Sequence, residues 1–115
     1  ANLMVYYVFS TFVNEVLNGG LVQYFTNSSK LTYIHLRHCA ILLNHEAFTP
    51  YVLEVCDYVD SIHPLDFDNE IDQAIAEQLD VFNNQFYELD EKFDALKIAE
   101  KFYKNNYSIK IFIVK

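Results

Sequence analysis

The sequence predicts an all-α fold, a single compact domain of about six helices over residues 1–115. Three observations favour this prediction. Only two glycines and two prolines occur in 115 residues, so few positions oblige the chain to leave a helix. Long straight-chain and aromatic residues are common, whereas runs that alternate apolar and polar residues are few. From position 71 the apolar residues recur every three or four positions, as on one helix face: Ile71, Ile75, Leu79, Phe82, Phe86, Leu89, Phe93 and Leu96.

The segment NEVLNGGLVQYFTNSS, residues 14–29, contains both glycines and predicts a corner between helices. We predict a first helix from Leu3 to Leu17 and a short second helix from Leu21 to Thr26. Gly19 is the predicted C-terminal cap of the first helix, because glycine adopts a left-handed backbone without steric cost. The Asn-Ser-Ser run can end the second helix, and one of its serines can cap the third.

Amide side chains are the second feature of this segment. Asn14, Gln23 and Asn27 can satisfy backbone groups that helix ends leave unpaired. The segment lacks the lysine of a phosphate-binding loop, and its spacing matches no nucleotide-binding fingerprint. We therefore interpret it as a structural corner that locks the first three helices together.

The third and fourth predicted helices run from Leu31 to Ala47 and from Pro50 to about Tyr58. Thr49 is the predicted cap of the fourth helix, with the proline in its first turn. The segment DSIHPLDFD, residues 60–68, is the clearest loop, because Pro64 forces the preceding residue away from helical geometry.

The last two predicted helices share the apolar stripe that begins at Ile71. We place a break near Leu89, where Asp90 is a good cap for a final helix that ends near Asn105. The C-terminal IKIFIVK alternates like a strand, but it has no obvious partner strand, so we expect a tail or a helix extension.

Acidic residues are concentrated in one third of the chain. The net charge is −8, yet residues 1–53 are neutral overall and residues 92–115 sum to +4, because residues 54–91 contain twelve acids and no lysine or arginine. Exposed helices usually intersperse the two signs, since like charges one turn apart destabilise a helix. Such a surface repels phosphates, so we expect a basic protein partner and no direct nucleic-acid binding.

The composition also bears on the cellular compartment. Cys39 and Cys56 form no CxxC pattern, which predicts buried free thiols in a reducing cytoplasm. No apolar run approaches the roughly 20 residues of a membrane span. The apolar N-terminal stretch lacks the basic start and cleavage site of a signal peptide. We expect a cytoplasmic protein that does not bind a membrane, and the absence of an initial Met leaves room for residues upstream of Ala1.

Histidines and a cysteine near the middle of the chain raise the alternative of a metal site. His35 and Cys39 are one helical turn apart, and His38 and His45 are two turns apart, with Glu46 nearby. No recognised ligand spacing is present, and no motif frames a nucleophile. We therefore expect no catalytic residue, no metal and no cofactor; an enzyme built on these residues is the least favoured hypothesis.

The glycine-containing segment resembles the signature of the bacterial DNA-mimic protein 19 family, acid–Val–Asn–Asn–Gly–Gly–Phe–x–Gln–Phe/Tyr–Phe–x–Asn–Ser–Ser–Gly. Leu17, Leu21 and Lys30 depart from it. A later stretch, LDVFNNQFYELDEKF, resembles a second family block in which a helix ends in Phe-Tyr before an acidic break. The matching signature positions are Glu15, Val16, Asn18, Gly19, Gly20, Gln23, Tyr24, Phe25, Asn27, Ser28 and Ser29.

The resemblance implies an all-helical domain, and the named family member is described as an acidic protein that imitates double-stranded DNA and occupies a transcription factor. The signature is apolar and amide-rich, so we interpret it as specifying the fold.

The predicted function is an acidic, non-enzymatic protein-binding domain. Its most specific version is a DNA mimic that occupies a DNA-binding regulator. An immunity or antitoxin protein that neutralises a basic toxin is the alternative, and a homodimer is left open. The predicted partner-binding residues are Asp57, Asp60, Asp66, Asp68, Glu70, Asp72, Glu77 and Asp80.

Overall fold

The computed structural model describes residues 2–27, 31–62 and 72–114, with the backbone alone at 106–114. These residues form five helices and include no strand, which confirms the predicted all-α class. The helices are α1 (Asn2–Thr26), α2 (Tyr33–Leu43), α3 (Phe48–Ser61), α4 (Gln73–Phe93) and α5 (Ala95–Val114). The structure has five helices in these residues and about six were predicted, because α1 includes both the first and the second predicted helix.

Helix α1 lies at the centre of the fold. It packs against α2, α4 and α5, while α3 packs against α2 and α4. Its buried side chains include Phe9, Phe12 and Val16, which meet apolar residues from the other helices in one core. Among the residues whose burial is described, no charged or polar side chain is buried in that core. The interior is therefore held together by apolar burial, and the carboxylates lie at the surface.

The break inside α1 occurs at Gly20, so the prediction of Gly19 as the left-handed cap is wrong. Gly20 has φ 79° and ψ −176°, a combination that glycine almost alone adopts. It is also buried, and a Cβ placed there would lie 2.8 Å from the amide nitrogen of Asn83. Gly19 remains helical but is crowded, because a Cβ there would meet the Gln23 side chain.

Two side chains of α4 hold the α1 backbone on either side of this break. The Asn83 Oδ1 atom accepts a hydrogen bond of 2.8 Å from the backbone N–H of Leu21. The Tyr87 hydroxyl donates to the carbonyl of Val16 at 3.3 Å. Asn83 thus caps the second half of α1 from another helix. Because Asn83 lies 62 residues after Leu21, this cap is not apparent from the sequence.

The turn between α2 and α3 differs from the prediction at both ends. Helix α2 ends at Leu43 and not Ala47, because Asn44 adopts the left-handed conformation with φ 51°. His45 supplies the cap of α3: its Nδ1 accepts from the N–H groups of Ala47 and Phe48, both at 3.1 Å. The Thr49 hydroxyl instead donates to the Ala40 carbonyl and accepts from the His45 N–H, so the prediction of a Thr49 cap is wrong.

Helix α4 passes through the predicted break near Leu89 and ends at Phe93, where Asp94 has φ 57°. The Asp90 carboxylate, in the last turn of α4, nevertheless accepts a hydrogen bond from the backbone N–H of Ala95, the first residue of α5. Helix α5 continues to Val114, so the C-terminal segment through that residue extends a helix. The loop prediction at Pro64 and the serine cap fall outside the described residues.

Candidate protein-binding surface

Four exposed carboxylates lie along the outward face of α4. Glu77, Asp80, Glu88 and Glu91 are separated by three, eight and three positions, and each is exposed. At 100° per residue they fall within one side of the helix, opposite the buried Leu79, Phe82 and Phe86. We call these four residues the acidic stripe. At a rise of about 1.5 Å per residue, the stripe extends roughly 21 Å along the helix.

The two acids of α3 predicted to bind a partner have a basic neighbour in the fold. Arg37 of α2 lies 2.9 Å from the Asp57 carboxylate and 3.0 Å from that of Asp60. Asp60 also accepts a hydrogen bond of 2.7 Å from Tyr33. The two carboxylates raise the pKa of Arg37 by hydrogen bonding, and burial raises the pKa of Tyr33. Arg37, which lies outside residues 54–91, therefore compensates part of their charge.

The other predicted acids divide between local structure and the stripe. Asp72 caps α4, because its carboxylate accepts from the N–H of Ala74 at 2.8 Å. Glu77 accepts from the side chain of Gln73 at 3.1 Å but remains exposed, and Asp80 is exposed beside it. Asp66, Asp68 and Glu70 fall outside the described residues.

A shallow groove of about 310 Å³ separates α3 from α4 next to the stripe. Residues one turn apart line each wall: Pro50, Tyr51 and Glu54 from α3, and Gln85, Glu88 and Leu89 from α4. The lining is both apolar and polar, and each helix contributes one exposed carboxylate. Glu88 belongs to both the stripe and the groove. Glu54, Glu88 and Glu91 were not among the predicted partner-binding residues.

Three lysines lie on a different helix from the acidic stripe. Lys97, Lys101 and Lys104 are exposed along α5, where they surround Glu100. Among the described residues, the one ion pair of this set joins Lys97 to Asp94 at 3.9 Å. Helix α4 also contains one lysine, Lys92, one turn beyond Glu88, and its ammonium lies over the Phe93 ring, 5.3 Å from the centroid. None of the ion pairs in the described part of the chain joins a basic side chain to the acidic stripe.

The signature segment surrounds a half-buried carboxylate. Glu15 accepts hydrogen bonds from the amides of Gln23 at 3.2 Å and Asn27 at 2.8 Å, so these amides bind a side chain and not the backbone groups predicted. The buried Tyr24 hydroxyl bonds to Thr32 at 2.7 Å, which joins the corner to the start of α2. Asn14 and Asn18 are exposed, while Phe25 is buried. Ser28 and Ser29 lie outside the described residues.

Comparison with known proteins identifies the family. A family model described as DMP19-like protein matches residues 1–108. The chain belongs to the DMP19-like protein family. No curated protein and no solved structure matches it. The resemblance seen in the sequence is confirmed, and within the DMP19-like fold the signature forms the contact of α1 with α2 and α4.

The residues of the metal alternative differ in burial within this DMP19-like chain. Cys39 is fully buried in the core, whereas His35 and His38 are exposed on α2. Across residues 2–27, 31–62 and 72–114, no three His, Cys, Asp or Glu side chains gather closely enough to hold a metal ion. In the same residues, no helix has the length and apolar character to cross a membrane.

Both cysteines of the DMP19-like core are free and buried, as predicted. Burial raises the pKa of Cys39 and raises that of Cys56 to about 11, with a smaller opposing effect from Arg37. A thiol with a raised pKa remains protonated at neutral pH and is a poor nucleophile or metal ligand. These cysteines therefore serve as small apolar core residues.

The Cys56 thiol predicts a loss of stability at alkaline pH. Because its folded pKa lies above its unfolded value near 9, its contribution is fully present below about pH 9 and is lost as the pH rises through 11. A shift of two units corresponds to about 2–3 kcal/mol. We expect the free energy of unfolding, measured with urea under a reductant, to fall between about pH 9 and 11.

The matched variant is Cys56→Ala, which lacks the titrating thiol. Its stability at neutral pH will be lower, but its decline over the same interval will be shallower, with the remainder due to Tyr24 and Tyr51, whose pKa values burial also raises. Parallel pH profiles for the two proteins would contradict the assignment to Cys56.

Proposed function

We propose that this DMP19-like protein is an acidic, non-enzymatic binding domain of the cytoplasm that occupies the DNA-binding surface of a basic regulator. The observation that carries the proposal is the acidic stripe of α4. Its carboxylates face away from the core and have no arginine or lysine paired with them in the described residues. An uncompensated row of like charge is costly for a helix, and a basic partner relieves that cost on binding.

The spacing of the stripe supports imitation of a phosphate backbone. Glu77 and Asp80 are separated by about 4.5 Å along the helix axis, as are Glu88 and Glu91. Phosphates along one strand of DNA rise about 3.4 Å per nucleotide, so the two spacings are of the same order. The total length of roughly 21 Å is about that of six nucleotides of one strand.

Capture of the partner tests the proposal. The immobilised domain is exposed to bacterial lysate at low salt, and bound proteins are identified by mass spectrometry and then challenged with duplex DNA. We expect a DNA-binding regulator that duplex DNA displaces and whose affinity falls steeply between about 0.05 and 0.3 M salt, as charges become screened. A toxin or nuclease whose binding ignores duplex DNA would instead support the antitoxin alternative and reject mimicry.

A pair of charge-matched variants tests whether the partner binds at the acidic stripe. Asp80→Asn/Glu91→Gln removes two stripe carboxylates, whereas Asp57→Asn/Glu100→Gln removes two carboxylates that have basic neighbours. Both variants have the same net charge. We expect the stripe variant to bind the captured regulator roughly tenfold more weakly and the control to change less than about twofold. Equal losses would show that only total charge matters and would reject the stripe as the binding surface.

A further inference from the structure

The groove between α3 and α4 combines apolar side chains with two carboxylates. Pro50, Tyr51 and Leu89 contribute the apolar part of its lining, against which an aliphatic stem can pack. Glu54 and Glu88 stand on opposite walls at the surface, and Gln85 adds an amide. The apolar and carboxylate groups thus come from two helices, which the contact of Tyr51 with Phe82 joins.

The two carboxylates of the groove are uncompensated. No hydrogen bond or ion pair of Glu54 or Glu88 is found among the described residues, in contrast to Asp57 and Asp60, which share Arg37. Two like charges facing one groove repel each other. A cation placed between them relieves the repulsion and gains two charge-assisted hydrogen bonds.

We infer that this groove binds an arginine side chain of the basic partner, with the guanidinium between Glu54 and Glu88 and the stem on Pro50, Tyr51 and Leu89. Arginine fits better than lysine, because its planar group offers five donors to two carboxylates and the Gln85 oxygen at once, and because it is less strongly hydrated. The inference rests on the proposed function for its choice of a basic partner. It adds Glu54 to the binding residues and names the group that is bound.

A short peptide tests the groove without the natural partner. Backbone amide chemical shifts of the full chain are followed by NMR during titration with acetyl-Ala-Arg-Ala-amide at physiological salt. We expect saturable shifts at residues 47–54 and 85–89, with a dissociation constant in the range of about 1–10 mM. The equivalent lysine peptide will bind several-fold more weakly, and the neutral citrulline peptide will give no saturable shift.

Three variants separate this inference from the proposed function, and their spectra report directly whether each is folded. Glu54→Gln/Glu88→Gln will abolish the arginine response, while Asp80→Asn/Glu91→Gln and Asp57→Asn/Glu100→Gln will retain it. Shifts that spread over all acidic residues, or equal responses to arginine and lysine, would overturn the inference. If the stripe variant loses the captured partner but the peptides cause no saturable shift, the arginine-binding groove is rejected and the proposed function stands. If the arginine peptide binds but no captured protein is displaced by duplex DNA, DNA mimicry is rejected and the groove stands.

Discussion

Replacing Phe86 by alanine is expected to lower the free energy of unfolding by about 3–5 kcal/mol, the cost of truncating a fully buried aromatic ring. Phe86 is 0 % exposed and its ring lies 6.1 Å from that of Phe12, 5.8 Å from Phe48 and 5.9 Å from Tyr51. It therefore joins α4 to α1 and α3 at one point. The loss equals a large part of the stability of an ordinary domain, so the variant will be partly unfolded at moderate temperature.

Urea unfolding followed by circular dichroism measures the effect. Tyr7→Ala is the control, because it truncates an aromatic residue of the same fold that is 60 % exposed, and it should cost less than about 1 kcal/mol. If Phe86→Ala has no folded baseline, Phe86→Leu retains most of the volume and should give a measurable, smaller loss. Equal costs for Phe86→Ala and Tyr7→Ala would show that α4 does not pack as described.

Replacing Gly20 by alanine is expected to cost about 2–4 kcal/mol, from backbone strain together with a steric contact. At φ 79° and ψ −176° an L side chain is strained whatever space surrounds it. The new Cβ would also lie 2.8 Å from the Asn83 amide, which must shift and weaken its bond to Leu21. Thermal unfolding should show a fall in Tm of roughly 10 °C or more.

A double-mutant cycle with Asn83→Ala separates the two causes. Alone, Asn83→Ala removes the cap on Leu21 and should cost about 1–2 kcal/mol. In a Gly20→Ala background it should cost less, because the Cβ has already displaced the amide. Asn18→Ala, at an exposed helical position just before the break, provides the control. A Gly20→Ala variant as stable as Asn18→Ala would refute the assigned backbone conformation.

The helix pattern was predictable where it depends on residues close together in the chain. The three-and-four spacing from Ile75 to Phe93 places Leu79, Phe82 and Phe86 on one face, and that face is buried. Buried free cysteines also followed from composition, since a small apolar thiol is favoured in a core. The family signature could be recognised in the sequence because its residues are contiguous.

Helix ends were predicted less well, because distant or unexpected groups satisfy them. Asn83 caps α1 from a position 62 residues away, and His45 caps α3 with an imidazole in place of the expected Thr49 hydroxyl. Local rules assign caps to neighbouring Ser, Thr, Asn and Asp, so neither bond was visible. The choice of Gly20 over Gly19 likewise depended on which position α4 approaches most closely.

The sequence by itself determined the helical class, the apolar faces and the excess of acid in residues 54–91, since these follow from composition and short-range periodicity. Only the tertiary structure decided which carboxylates remain uncompensated. It brings Arg37 to Asp57 and Asp60, and it leaves the acidic stripe and Glu54 exposed. Charge acts through distance in space, and distance in space between helices is set by core packing rather than by position along the chain.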